Sequence, residues 1–319
     1  MDIYGHLQIA EEVLESPDLN PELKALLSEY RNYFNLGNFV PDLQYIIVRM
    51  MIIMVFKNVL FGTRDYRRVT KKTDLEHVKS SELLLNGFKT VDDSIRYYKR
   101  DVVISKSTKV RKQIALLCGV AGHVFADRFI HYVIEKIQFE AEFAPAYFGR
   151  KPSHQEVEIS FSYFWLKSKD KDWYNFTDKI RVPLTKHWFR KLIMVRDEAI
   201  HPLLQQMDLL TYHDQLGDNQ INMALNNLMV FGKYLRFFSI YRKIKKGSYI
   251  YDFDAFKESS FNKDGLIEEV EYKVVPKIAS VLNFIYKMFT SEEAFHIKAK
   301  NIKELLGNID AVKPEEYTF

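Results

Sequence analysis

The chain has 319 residues, 47% of them apolar and 28% charged, with a formal net charge of +4. That is ample apolar material for a core, which excludes disordered and collagen-like architectures. The 12 Gly and 9 Pro fall well below the about 22 and 16 that average usage gives, which disfavours turn-rich all-β folds, and the one cysteine, Cys118, excludes a disulfide scaffold or a thiolate zinc cluster.

The N-terminus has neither a basic nor a long apolar region, so no signal peptide and a cytoplasmic location are expected. Tyr4, Leu7, Ile9, Ala10, Val13 and Leu14 give a first helix the period it needs, over residues 4–16. Asn20-Pro21 opens a second, with proline in a tolerated first-turn place. Asp42, after Pro41, opens a third that is strongly apolar. Its run over residues 46–56 is about half of the ~20 residues a bilayer span requires, and Arg49 interrupts it. No transmembrane segment is therefore expected; the run reads as a buried helix, with an interfacial segment as the alternative.

Residues 62–76 are polar and read as a loop, and a helical pattern resumes over 77–98. Residues 107–140 predict a long central helix capped by Ser107 or Thr108. Residues 153–166 predict another, with Ser153 as N-cap and Glu156 in the capping-box place. A polar connection follows residue 167. Further helices are expected at roughly 184–211, 217–245 and 264–290, with 247–262 the least helical stretch. The fold class is all-α, a multi-helix bundle. Residues 1–170, which hold the closely spaced histidines and carboxylates, are expected to form a metal-binding helical region, and 171–319 an additional helical region packed on it.

Charge is unevenly spread. Residues 57–112 hold 15 Lys/Arg and 7 Asp/Glu, a local net of +8. Two readings fit: a solvated lysine-rich surface, or a positive field beside a site for an anionic substrate. No GxSxG, P-loop or GxGxxG motif is present, and the His213-Asp214 pair lacks the partners an HD-type phosphohydrolase requires.

The histidines carry the chemical signal. His123, Asp127 and His131 are spaced i, i+4, i+8, which spreads them over about 80° of one helix face and about 12 Å of its length. A carboxylate has two oxygens and can serve two cations, so one helix can offer ligands to more than one metal. An ordinary helix surface with two His–Asp pairs fits the same spacing. His154 and Glu158 are a second i, i+4 pair, able to chelate an ion or to pair with each other. His6, Asp42 and His77 add ligand types at helix starts that a bundle can bring together.

These pieces, in order, are YGHLQIAEEVL around His6, GNFVPDLQY around Asp42, EHVKSSELL around His77, AGHVFADRFIHYV and HQEVE. The ordered set resembles the zinc-dependent phospholipase C family, all-helical phosphodiesterases whose fold is shared with P1-type nucleases. The resemblance covers residues 6–158, about half of the chain. It implies one to three zinc ions. Asp42, His77, His123 and Asp127 would hold one, Asp127 would bridge to a second held by His6, and His131, His154 and Glu158 would hold a third. In the secreted members a freed N-terminal tryptophan completes the zinc beside the counterpart of His6. Here residue 1 is Met, so that zinc is absent, loosely held or completed by water.

The resemblance further implies hydrolysis of phosphoric esters, phospholipids among them, by zinc-activated water. Asp42 would orient or deprotonate that water. A phospholipid substrate needs an apolar wall, which the run directly after Asp42 is placed to supply, and a peripheral membrane contact is a further expectation. Nucleic acid is the less favoured substrate. The alternatives are a non-catalytic helical protein with structural metal and a nuclease of the same fold.

Overall fold

The computed structural model describes residues 3–41, 80–96, 104, 106–139, 154–170, 197–207, 221–222, 225, 266–293 and 295–311. Among these the regular structure is helical and there is no strand. The helices are α1 (Ile3–Glu15), α2 (Pro21–Glu29), α3 (Arg31–Gly37), α4 (Ser80–Arg96), α5 (Thr108–Phe139), α6 (His154–Ser168) and α7 (Ile200–Gln206). They continue with α8 (Leu266–Glu269), a π-helical turn (Val270–Val274), α9 (Val275–Thr290) and α10 (Phe295–Ala311).

The 32-residue α5 is about 48 Å long at 1.5 Å per residue and forms the axis of the molecule. Between Ile114 and Ala126 it buries Leu116, Leu117, Cys118, Val120, Val124 and Phe125, which point in every direction around it. A helix that is apolar all round must be surrounded. α1, α3, α4, α6, α7 and α9 all pack on it. The Ser107 hydroxyl accepts a long hydrogen bond of 3.4 Å from the Val110 N–H at its start, so Ser107 is the cap. Burial pushes the Cys118 thiol up to about 12, as befits a core residue.

Local chemistry fixes the ends of the surrounding helices. Asn20 accepts from the N–H groups of Glu22 and Leu23 at 2.9 and 3.1 Å, and Pro21 occupies the first turn of α2. Asn283 of α9 clamps the preceding turn: it accepts from the Asn20 N–H at 2.8 Å and donates to the Asp18 carbonyl at 2.7 Å. The C-terminal α9 thus packs on both α1 and α5, and residues 266–293 complete the core that the N-terminal helices begin.

The expected helix over 184–211 is not continuous. Residues 197–199 are not helical, because the Asp197 carboxylate accepts from the N–H groups of Ala199 and Ile200 at 2.8 and 2.9 Å just ahead of α7, and residues 184–196 lie outside the described ones. The helix expected at 264–290 contains a π-helical turn, and α3 and α10 are additional helices. The apolar run at 46–56 and the loop at 62–76 lie outside the described residues. Among the described residues, no helix is long and apolar enough to cross a membrane.

Candidate metal centre

The site forms where α1 lies against α5. Tyr4, Leu7, Ile9, Ala10 and Val13 of α1 are all buried, and this apolar seat carries the equally buried His6 into the interior. His123 and Asp127 stand one turn apart on α5. The Asp127 carboxylate faces both imidazoles: Oδ1 is 3.1 Å from His6 Nε2 and Oδ2 is 3.0 Å from His123 Nε2. The three residues offer donor atoms that all lie within 4.8 Å of one another.

The His123 ring is oriented from behind. Its Nδ1 lies 2.7 Å from the Asn38 backbone carbonyl. A carbonyl oxygen only accepts, so Nδ1 carries a proton, and Nε2, which faces Asp127, is the atom that a metal would take in place of its proton. His6 differs. Both of its ring nitrogens are buried and neither has a hydrogen-bond partner among the described residues; the Nε2–Asp127 approach is close but lacks hydrogen-bond alignment. Burial, and then the charge of His123, lower the His6 pKa to about 3, so the ring is neutral near pH 7. Burial opposes ionisation of Asp127, but the positive charge around it, that of His123 first, outweighs burial and holds the carboxyl well below the usual carboxylate range.

A buried neutral imidazole with unsatisfied nitrogens, set beside an ionised carboxylate, is a donor set suited to a divalent cation. Donor atoms about 2.0–2.1 Å from a tetrahedral zinc stand about 3.3 Å from each other, close to the nitrogen–oxygen separations of 3.0 and 3.1 Å. The residues fit zinc.

Of the other expected ligands, Asp42 and His77 lie outside the described residues. His131 falls on α5 and His154 begins α6, but their side chains are outside what is described. Glu158 is a half-buried residue of α6, which packs on α5. Asn38, whose carbonyl holds His123, was not among the expected residues. Its only signal was its place just after a glycine and one turn before Asp42.

An all-helical bundle that brings two buried imidazoles and a carboxylate together defines a candidate metal-binding protein. The profile of the family described as zinc dependent phospholipase C matches residues 5–200, more than half of the chain. The chain belongs to this family, has its all-α fold of the phospholipase C and P1 nuclease type, and takes zinc as its cofactor. The family supports a metal-dependent hydrolase of the phosphodiesterase kind. Comparison with curated proteins and with solved structures finds no significant match.

Proposed function

We propose that this protein hydrolyses phosphoric esters, phospholipids foremost, in the manner of phospholipase C. The observation that carries the reading is Asp127, which turns one oxygen toward each of two imidazoles on different helices. Zinc, when bound, supplies a nucleophile at neutral pH and neutralises charge on the phosphoryl oxygens. The protein's part is to hold it. His6, His123 and Asp127 are the described ligands, and Asp42, His77, His131, His154 and Glu158 complete the set that the family pattern implies. Asp42 is the side chain assigned to orient or deprotonate the attacking water.

The surroundings support catalysis over a purely structural metal. Structural zinc sites are closed, whereas catalytic ones keep a way in. The Asp127 side chain is half-buried while both imidazoles are fully buried, so the carboxylate side of the group is its less enclosed side. The net positive charge of residues 57–112 and the apolar composition of residues 46–56, near Asp42 in sequence, suit an anionic substrate that carries acyl chains.

The test is turnover by the zinc-loaded protein of phosphatidylcholine vesicles, of a generic aryl phosphodiester and of single-stranded DNA. Chelator-sensitive release of diacylglycerol is the expected result. Zinc binding without turnover of any of the three would support a structural metal. Turnover of DNA alone, steeply weakened by salt, would support a nuclease.

A further inference from the structure

Glycine weakens a helix interior, yet α5 carries Gly119 and Gly122 in its most buried stretch. α3 explains them. A Cβ on Gly37, the last residue of α3, would overlap the Leu116 carbonyl oxygen and stand 2.8 Å from Gly119 Cα. A Cβ on Gly119 would overlap the Phe34 carbonyl oxygen and stand 3.0 Å from the Asn38 nitrogen. The two backbones therefore touch, far closer than the usual 8–10 Å between packed helix axes would require. One turn beyond Gly119 on the same face of α5 is His123.

The contact delivers a specific group. Asn38 follows α3 directly, and its side-chain Nδ2 donates to the Phe34 carbonyl at 3.0 Å, which fixes the turn. Its own carbonyl then reaches His123 Nδ1 at 2.7 Å, with both residues buried. A Cβ on Gly122 would meet Asn38 Oδ1 at 3.2 Å, so this position also leaves room for the turn.

We propose that this glycine crossing is a positioning element for the metal centre. Gly37, Gly119 and Gly122 let the Asn38 carbonyl hold the proton of His123 on Nδ1 and aim Nε2 at the Asp127 side. Asn38 is a positioning residue that acts through His123. The proposal rests on the reading of His123 as a zinc ligand.

The experiment measures zinc affinity by chelator competition in the full chain, together with the imidazole nitrogen resonances of His123. Gly122→Ala is the mildest intrusion, since its Cβ meets only a side-chain oxygen. It is expected to bind zinc about 10–100-fold more weakly, the usual cost of disturbing the hydrogen bond behind a ligand, with little loss of thermal midpoint. Phe289→Leu, at the stack of Phe289 on Phe88 with centroids 4.6 Å apart, should lower the midpoint and leave zinc affinity unchanged. Wild-type affinity in Gly122→Ala, or an equal loss in Phe289→Leu, overturns the proposal.

Should Gly122→Ala fail to fold, the nitrogen spectrum of the zinc-free wild type decides. A proton on His123 Nδ1 supports the positioning role. A bare Nδ1 in a chain that binds zinc overturns it alone. A wild type that takes up no zinc overturns the functional reading, and with it the role of His123 as a ligand.

Discussion

His6 and His123 lie face to face, their ring centroids 3.8 Å apart and their planes 15° from parallel. The stack comes from two helices far apart in sequence and brings both Nε2 atoms to one edge, where the two oxygens of Asp127 meet them separately. Two charged imidazoles would repel at this distance. The depressed pKa of His6 is in part that repulsion, after burial. The stack is therefore arranged for a ring that stays neutral, which is the protonation state a metal ligand needs.

The first prediction concerns the carboxylate. Asp127→Asn keeps shape but replaces an anionic oxygen with an amide that donates, so it cannot serve two imidazole-bound cations. Zinc affinity should fall about 100-fold or more, beyond the 10–100-fold typical of groups one step removed from a metal. Turnover of a phosphodiester should fall with it, and more than in Glu158→Gln. Zinc titration of the two variants and the wild type measures this. Equal stoichiometry and equal turnover in Asp127→Asn would show that the carboxylate is only a partner of His123.

The second concerns pH. The ordinary histidine value is 6.5 and that of His6 is about 3. Below 6.5 the unfolded chain takes up a proton that the folded chain refuses, so stability falls as pH falls toward 3. One such proton gives a slope of at most about 1.4 kcal/mol per pH unit. Asp127 acts with the same sign lower down: its carboxyl sits below its unfolded value of 3.8, so its contribution is full above that value and lost as pH falls through the folded one. Urea unfolding of the zinc-free protein between about pH 7 and 4 should show the loss, and His6→Gln should flatten its upper part. Parallel slopes in the two proteins would remove His6 as the cause.

Much of this frame was legible from periodicity. α1, α2 and α5 stand out because apolar residues recur at helical spacing over more than two turns, and the Asn20-Pro21 cap marks a boundary unambiguously. α3 was hidden because seven residues carry too little period, and Tyr33, Phe34, Asn35, Leu36 and Gly37 are all buried, leaving no polar face to mark it. The break before α7 was hidden because Asp197 caps through its side chain without interrupting the apolar pattern. The π-helical turn was hidden for a related reason: Val270 and Val274 are both buried, so apolar spacing runs straight through it. The histidine–aspartate spacing on α5 was plain, but the approach of His6 depends on how α1 seats on α5, which no local pattern states. Asn38 acts through its backbone, and a backbone carbonyl leaves no trace in residue type.

The third prediction concerns the outer end of α3. The Tyr33 hydroxyl donates to Asp197 Oδ2 at 2.9 Å, while Asp197 Oδ1 caps α7. Burial, and then the charge of Asp197, raise the Tyr33 pKa, so the phenol remains a donor at any working pH. Tyr33→Phe removes one hydrogen bond to a charged acceptor and should cost about 1.5–3 kcal/mol. Because Asn38 is held independently by Phe34 and His123, zinc affinity should hardly change. A variant that keeps its stability but loses zinc would make Tyr33 part of the metal centre rather than an anchor between helices.

The fourth concerns the far side of the bundle. Lys298 of α10 and Asp92 of α4 form an ion pair of 3.1 Å in which both side chains are fully buried, and the same ammonium donates to the Ser291 carbonyl at 2.8 Å. Buried pairs are poor evidence of net stabilisation, since desolvating both charges offsets most of their attraction. Breaking one is a different matter. Lys298→Met removes the ammonium that pairs with the buried Asp92 carboxylate and donates to the Ser291 carbonyl, and should destabilise the protein by about 3–5 kcal/mol. The double variant Asp92→Leu/Lys298→Met removes both buried charges and should recover most of that loss, because an apolar pair of similar volume is often neutral or better. Denaturant unfolding of the wild type, the single and the double measures both. A single variant within about 1 kcal/mol of wild type would mean that water reaches Asp92, and a double as unstable as the single would mean that the pair fixes the docking of α10 on α4 through geometry that apolar side chains cannot reproduce.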